Sequence, residues 1–212
     1  MTEHVAVQPE HEAVFPRLLG GRLCLDFANS VESPLETPEE FLTDFVALAR
    51  WGRHVSVLDA AQVAGAVRAN QAHPDRARQI YAAALKLRGS TQRAFLAVAE
   101  GREVGNGDLA EIQRAYVVSL QRCRLSLQGD QARWVWAGRG EVSEVELLLW
   151  RVAQSAVDLL TDGELARVKS CDCGWLFYDT SRNGSRRWCS MEGCGTQAKM
   201  RRFTAKRRAA RV

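Results

Sequence analysis

Histidine is scarce in this 212-residue sequence: the four are His4, His11, His54 and His73. No His-Glu-x-x-His pair, phosphate-binding Walker loop, dinucleotide glycine fingerprint or Ser/His/Asp set can be assembled around them. The common hydrolase, nucleotide-binding and oxidoreductase classes therefore have no residues to rest on, and we expect no enzyme. Long hydrophobic runs are missing too. No apolar stretch approaches the roughly 18 residues of a membrane span, so a membrane partner is not expected. The first dozen residues carry acids where a signal peptide carries positive charge, and the expected location is the cytoplasm. Internal repeats and low-complexity tracts are also absent.

What the chain has is a core and an uneven charge. Hydrophobic residues make up 46% of it, enough for a globular body. Net charge is +4, but residues 163–212 hold twelve cations against four acids, a net +8, which leaves −4 for the rest. A cationic end on an acidic body suits a polyanionic partner.

Residues 1–15 show no periodicity and read as a flexible lead-in. Gly20-Gly21 marks a turn, after which Leu23, Leu25 and Phe27 alternate with Cys24, Asp26 and Ala28 as in a short strand. Thr37-Pro38-Glu39-Glu40 predicts a capped helix from Pro38 to about Gly52, with Phe41, Phe45 and Leu48 inward. Further helices are expected near Leu58–Ala69, over Asp75–Glu100, and around Leu109, Ile112, Ala115, Tyr116 and Leu120, with a loop over Gly101–Gly107. Leu125 and Leu127, a Gly129-Asp130 turn, then Trp134 and Trp136 spell a β-hairpin. Ser143-Glu144-Val145-Glu146 opens an apolar helix through Leu147, Trp150, Val157 and Leu160. Residues 16–162 thus read as one α+β domain, mostly helical with a small hairpin sheet, and residues 163–212 as a second, small domain.

Four of the six cysteines, Cys171, Cys173, Cys189 and Cys194, fall within 24 residues. Two close-spaced pairs are how one chain supplies tetrahedral thiolate to a structural zinc ion, and with no histidine nearby an all-cysteine site is the leading expectation. A three-cysteine site completed by Asp172, Asp179 or water, and a thiol or disulfide pair, are the alternatives. The Cys-x-Cys pair can share a metal only if Asp172 sits in a tight turn, since alternate strand residues face opposite ways. Cys24 and Cys123 read as small core residues. Gly174–Asp179 and Arg187–Cys189 look like two strands joined by a polar turn, with a helix from Gly195 to about Arg208. That is a treble-clef-like finger, with Met200 and Phe203 docked on the metal knuckle and Trp175 and Trp188 packed beside it. Stacking of those two tryptophans on unpaired bases is the alternative.

The run Cys-Gly-Trp-Leu-Phe-Tyr-Asp-Thr-Ser-Arg-Asn-Gly-Ser-Arg-Arg-Trp-Cys-Ser-Met from Cys173, with the Cys-Gly knuckle and basic helix that follow, resembles the CGNR zinc-finger family. Gly20-Gly21-Arg22-Leu23-Cys24-Leu25-Asp26-Phe27-Ala28-Asn29 resembles the start of the ABATE domain. The family's name tetrapeptide reads Cys194-Gly195-Thr196-Gln197 here, and the first cysteine pair is closer together than the family's knuckle. The resemblance implies a bacterial transcription regulator with one structural zinc, the finger binding double-stranded DNA and the larger domain sensing an effector. On the finger, Arg182, Arg186, Arg187, Lys199, Arg201, Arg202, Lys206, Arg207 and Arg208 are the candidate nucleic-acid contacts. For a small-molecule effector the candidates are Asp26, Asn29, Trp134, Trp136 and Trp150, against the plainer roles of backbone caps and core. One finger reads few bases, so a homodimer or a helper surface is expected. A zinc module for RNA or protein contacts, a thiol redox sensor and a metal-dependent enzyme are the competing readings.

Overall fold

The computed structural model describes residues 15–31, 40–137 and 143–209. Residues 1–14 of the expected lead-in and Thr37-Pro38-Glu39 of the expected capping box lie outside them. The order is α1 (Leu23–Ala28), α2 (Phe45–His54), α3 (Ala60–Ala72), α4 (Pro74–Ala99), α5 (Asn106–Leu120), β1 (Cys123–Gln128), β2 (Gln131–Trp136), α6 (Ser143–Thr161), β3 (Val168–Ser170), β4 (Leu176–Tyr178) and α7 (Thr196–Ala209). This is the mostly helical α+β fold with a small hairpin and a C-terminal zinc-finger module that the sequence implied.

The central element is α4. Its buried residues Ala77, Ile80, Ala84, Leu87, Thr91 and Ala94 recur at alternating steps of three and four, one continuous stripe. Most are small, so neighbouring helices approach closely. Pro74 starts this helix, where its missing N–H is no loss. Asp59 and Gln62 form a reciprocal capping box on α3, each side chain accepting from the other's backbone N–H at 2.8 Å. In α6 the buried stripe is Val145, Leu148, Val152, Ala156 and Leu159, one position off the expected set, although Trp150 is buried as well.

Two expected elements differ. Leu23–Phe27 is helical, not a strand. Cys24, Leu25, Phe27 and Ala28 are all buried, and a short run buried on nearly every side carries no periodicity that separates strand from helix. Helix α2 starts at Phe45 rather than Pro38, because Asp44 is its cap and accepts from the Ala47 amide at 2.7 Å.

The hairpin pairs in the expected register, Leu125 opposite Trp134 and Gln128 opposite Gln131, turning through Gly129 at φ +66°. Its base packs on α6 through a stacked pair, Trp136 and Trp150, with ring centroids 5.8 Å apart. Its outer half leaves Leu125 and Leu127 exposed.

The finger's strand pairing also departs from expectation. β4 pairs antiparallel with β3, Val168 opposite Tyr178, and Arg187–Cys189 forms no strand. This puts the first cysteine pair in the connection between β3 and β4. The strand faces two ways: Leu176 and Tyr178 join the helical core, while Phe177 joins a second cluster with Cys171 and Cys189. Asn29 completes the junction like a third strand, its amide donating to the Leu176 carbonyl at 2.8 Å and accepting from the Leu176 N–H at 2.9 Å. Gly20 adds a bond, its carbonyl accepting from the Tyr178 amide at 2.8 Å. A β-carbon at Gly20 would lie 2.7 Å from the Asp26 nitrogen, so only glycine fits.

Replacing Asn29 with alanine strands two buried backbone groups of β4 and is expected to lower unfolding free energy by about 2–4 kcal/mol, measured by urea denaturation. A change under roughly 0.5 kcal/mol would show that the amide bridge does not hold the two parts together.

Candidate metal centre and basic face

The four cysteine sulfurs converge. All lie within 4.8 Å of one another, with Cys173 to Cys189 at 3.6 Å and Cys189 to Cys194 at 3.7 Å. Tetrahedral zinc with bonds of about 2.3 Å sets its sulfurs about 3.8 Å apart, so the group fits one zinc ion. The tight turn that the Cys-x-Cys spacing demands is present. The Gly174 amide donates to the Cys171 carbonyl and the Cys171 amide to the Trp175 carbonyl, both at 2.8 Å, with Gly174 at φ +87°. Cys171 and Cys189 are buried, and Cys173 and Cys194 half-buried. On one side Cys173, Cys189 and Cys194 line a cleft of about 870 Å³ between finger and helical body.

Without a cation the thiols cannot all ionise. The hydrogen bond with Cys189 draws the Cys173 thiol down to about 5. The same bond pushes the Cys189 thiol far up, and burial first, then Cys173, pushes Cys194 up to about 11. A dication removes the conflict by taking all four as thiolates.

Asp179 is not a ligand. Its fully buried carboxylate accepts from the Lys169 ammonium at 2.7 Å, the Ser181 amide at 2.9 Å and the Arg186 amide at 2.8 Å. Burial pushes this carboxyl up, but Lys169 and the two amides outweigh it and hold the group well below the usual carboxylate range. Lys169 also donates to the Gly184 and Arg186 carbonyls, so the pair organises the whole loop. Sequence reading missed this role, although an Asp followed two residues later by Ser is an Asx-turn signal. Asp172 is exposed in its turn.

Of the candidate nucleic-acid contacts, Arg182, Arg187, Lys199, Arg201, Arg202 and Arg207 are exposed. Arg186 turns inward instead. It donates to the Trp188 carbonyl at 2.9 Å and to the Cys189 carbonyl, and it lies 4.6 Å from the Phe177 ring centre. Those carbonyls follow an irregular backbone and need a donor, which the planar fork supplies. Lys206 and Arg208 lie on α7 as well. A π-helical turn, Met191–Gly195, leads into α7 and carries Cys194; among the described elements, α7 makes its substantial contacts with this turn. Met200 and Phe203 are 58% and 55% exposed and do not dock on the knuckle, because Trp175, Trp188 and Leu19 already cover the cysteine cluster.

Asp26 accepts from the Gly20 amide at 2.7 Å, and burial raises its carboxyl. Asn29 is occupied by β4 as above. Trp134, Trp136 and Trp150 do come together, lining a groove of about 550 Å³ with Arg133 and Arg151. The Nε1 atoms of Trp136 and Trp150 are buried with no acceptor among the described residues. Cys24 is a buried thiol pushed up to about 12 by desolvation, and burial raises Cys123 too.

Cys189→Ser should reduce zinc from about one per chain to substoichiometric content by atomic absorption. With the Cys189 and Cys194 thiols pushed up, metal binds there only as their protons leave. Zinc affinity by chelator competition should therefore fall as pH falls from 8 to 6; an affinity flat over that range would argue against a thiolate site.

Compared with family models, residues 167–207 match the CGNR zinc finger, and residues 21–163 match ABATE, described as "Putative stress-induced transcription regulator". No curated protein matches the chain. With two thirds of its length matched and its four cysteines gathered as that finger requires, the chain belongs to the ABATE family and carries a CGNR zinc finger behind that domain.

Proposed function

We propose that this regulator binds duplex DNA through its finger, with α7 seated in the major groove and Arg182 and Arg187 on the phosphate backbone. One observation carries the reading: α7 holds six cations and no acid, and among the described elements it makes its substantial contacts only with the turn that carries Cys194. A helix this rich in cations suits a polyanion, and the lack of acids in it removes local competition for phosphate. The zinc fixes the root of the helix through Cys194, and Arg186 and Lys169 fix the loop that carries Arg182 and Arg187. A homodimer supplies the second half-site that one finger lacks. No helix among the described residues is long and apolar enough to cross a membrane.

The tryptophan groove is the effector site in this reading. Stacked indoles offer an apolar wall, and Arg133 and Arg151 line the same groove. Thiol sensing has one observation in its favour, the open cleft beside Cys173, Cys189 and Cys194. In that reading peroxide would oxidise two of these thiolates to a disulfide, itself reduced to water, with zinc released.

If about six cations meet phosphates, affinity for duplex DNA should fall about a thousandfold between roughly 50 and 200 mM salt. Arg201→Ala with Arg202→Ala should flatten that slope by about two contacts in a fluorescence-anisotropy titration. Binding that is independent of salt, or stronger to single strands than to duplex, would sink the proposal.

A further inference from the structure

Met200 and Phe203 are large apolar side chains, more than half exposed, on the most charged helix of the chain. At 100° per residue they share a ridge with Thr196 and Arg207, the four positions spanning about 60° of the helix surface. Lys199, Arg202 and position 206 fall on one flank of that ridge, and Arg201 and position 208 on the other. Alanines 198 and 205 form the back. The Arg207 guanidinium lies 5.7 Å from the Phe203 ring centre, so it belongs to the ridge as well. The helix therefore carries Met200 and Phe203 on a crest that Arg207 shares, with cations to either side of it.

That cross-section disfavours a second copy as the occupant. Two such helices packed crest to crest would bring like charges together with no acid in either to offset them. It complements a DNA major groove, where phosphates line both walls and the floor carries base edges. On that floor one base edge presents a hydrocarbon group, the thymine 5-methyl, and phenylalanine is a residue type that meets it.

We infer that Met200 and Phe203 are specificity-determining residues that contact thymine methyl groups on the groove floor while Lys199, Arg202 and Arg201 hold the two walls. This rests on the DNA-binding reading above and adds to it a base preference. Sites with thymine under the crest bind more tightly than sites without, and the discrimination comes from apolar contact rather than hydrogen bonds.

The test uses the full-length, zinc-loaded protein and two duplexes of equal length at equal salt, alternating d(A-T) and alternating d(A-U), which differ by the 5-methyl group. The parent should bind d(A-U) about fourfold more weakly for each methyl it buries. Phe203→Ala should erase most of that ratio and keep its salt slope; the side chain is exposed, so folding is not at issue. Equal affinity of the parent for both duplexes overturns the inference and leaves DNA binding standing. So does a thymine-to-uracil ratio that Phe203→Ala and Met200→Ala leave unchanged. Failure of zinc-loaded protein to bind either duplex overturns the DNA-binding reading itself. Self-association that disappears in Phe203→Ala assigns the crest to a second copy and overturns the inference.

Discussion

The strand Leu176-Phe177-Tyr178 is the constraint on which the molecule depends, because its two faces belong to different cores. Leu176 and Tyr178 point into the helical body, and Phe177 points to the cysteine cluster, as strand alternation requires. A finger of this size has too little apolar surface to fold alone. Here it borrows the core of its neighbour, with the Asn29 amide sealing the strand edge and the Trp175 indole donating to the Val31 carbonyl at 3.2 Å. The two family regions are contiguous in folding energy even though they are separate in sequence.

Metal and salt bridge divide the remaining work. The zinc site gathers the two knuckles, one from the β3–β4 connection and one from the turn before α7. The loop between them, residues 179–188, is held by the buried Asp179 carboxylate and the Lys169 ammonium. With its carboxylate fully buried, its ammonium half-buried and every oxygen and hydrogen of the pair satisfied, this ion pair is costly to break. Arg186 turns inward to that loop's carbonyls, while Arg182 and Arg187 stay exposed, Arg187 lying 5.5 Å from the Trp188 ring centre.

Much of this was legible in the sequence. Long periodic helices, the Gly129-Asp130 hairpin and the clustered cysteines are local signals, and each appears where expected. What failed depended on three-dimensional placement that a residue pattern does not carry. Leu23–Ala28 is buried on most sides, so its pattern could not report its secondary structure. The partner of β4 is β3 rather than the later segment because a tight Cys171–Gly174 turn closes the nearer pair first. Arg186 resembles its exposed neighbours until the carbonyls of Trp188 and Cys189 are placed beside it. Met200 and Phe203 are apolar, and apolar residues near a metal knuckle invite packing. Trp175, Trp188 and Leu19 occupy that surface first.

The helix α7 is a cantilever. Fourteen residues at 1.5 Å each give it a length of about 21 Å, clamped at the end where Cys194 meets the metal. A tilt of about 10° at such a clamp sweeps the free end through about 3.6 Å, close to the spacing of one base-pair step. In the DNA-binding reading proposed above, the geometry of the four sulfurs sets the alignment of a probe whose tip must be correct to within a single rung of the duplex, which makes the knuckle a calibration point as well as a fastening.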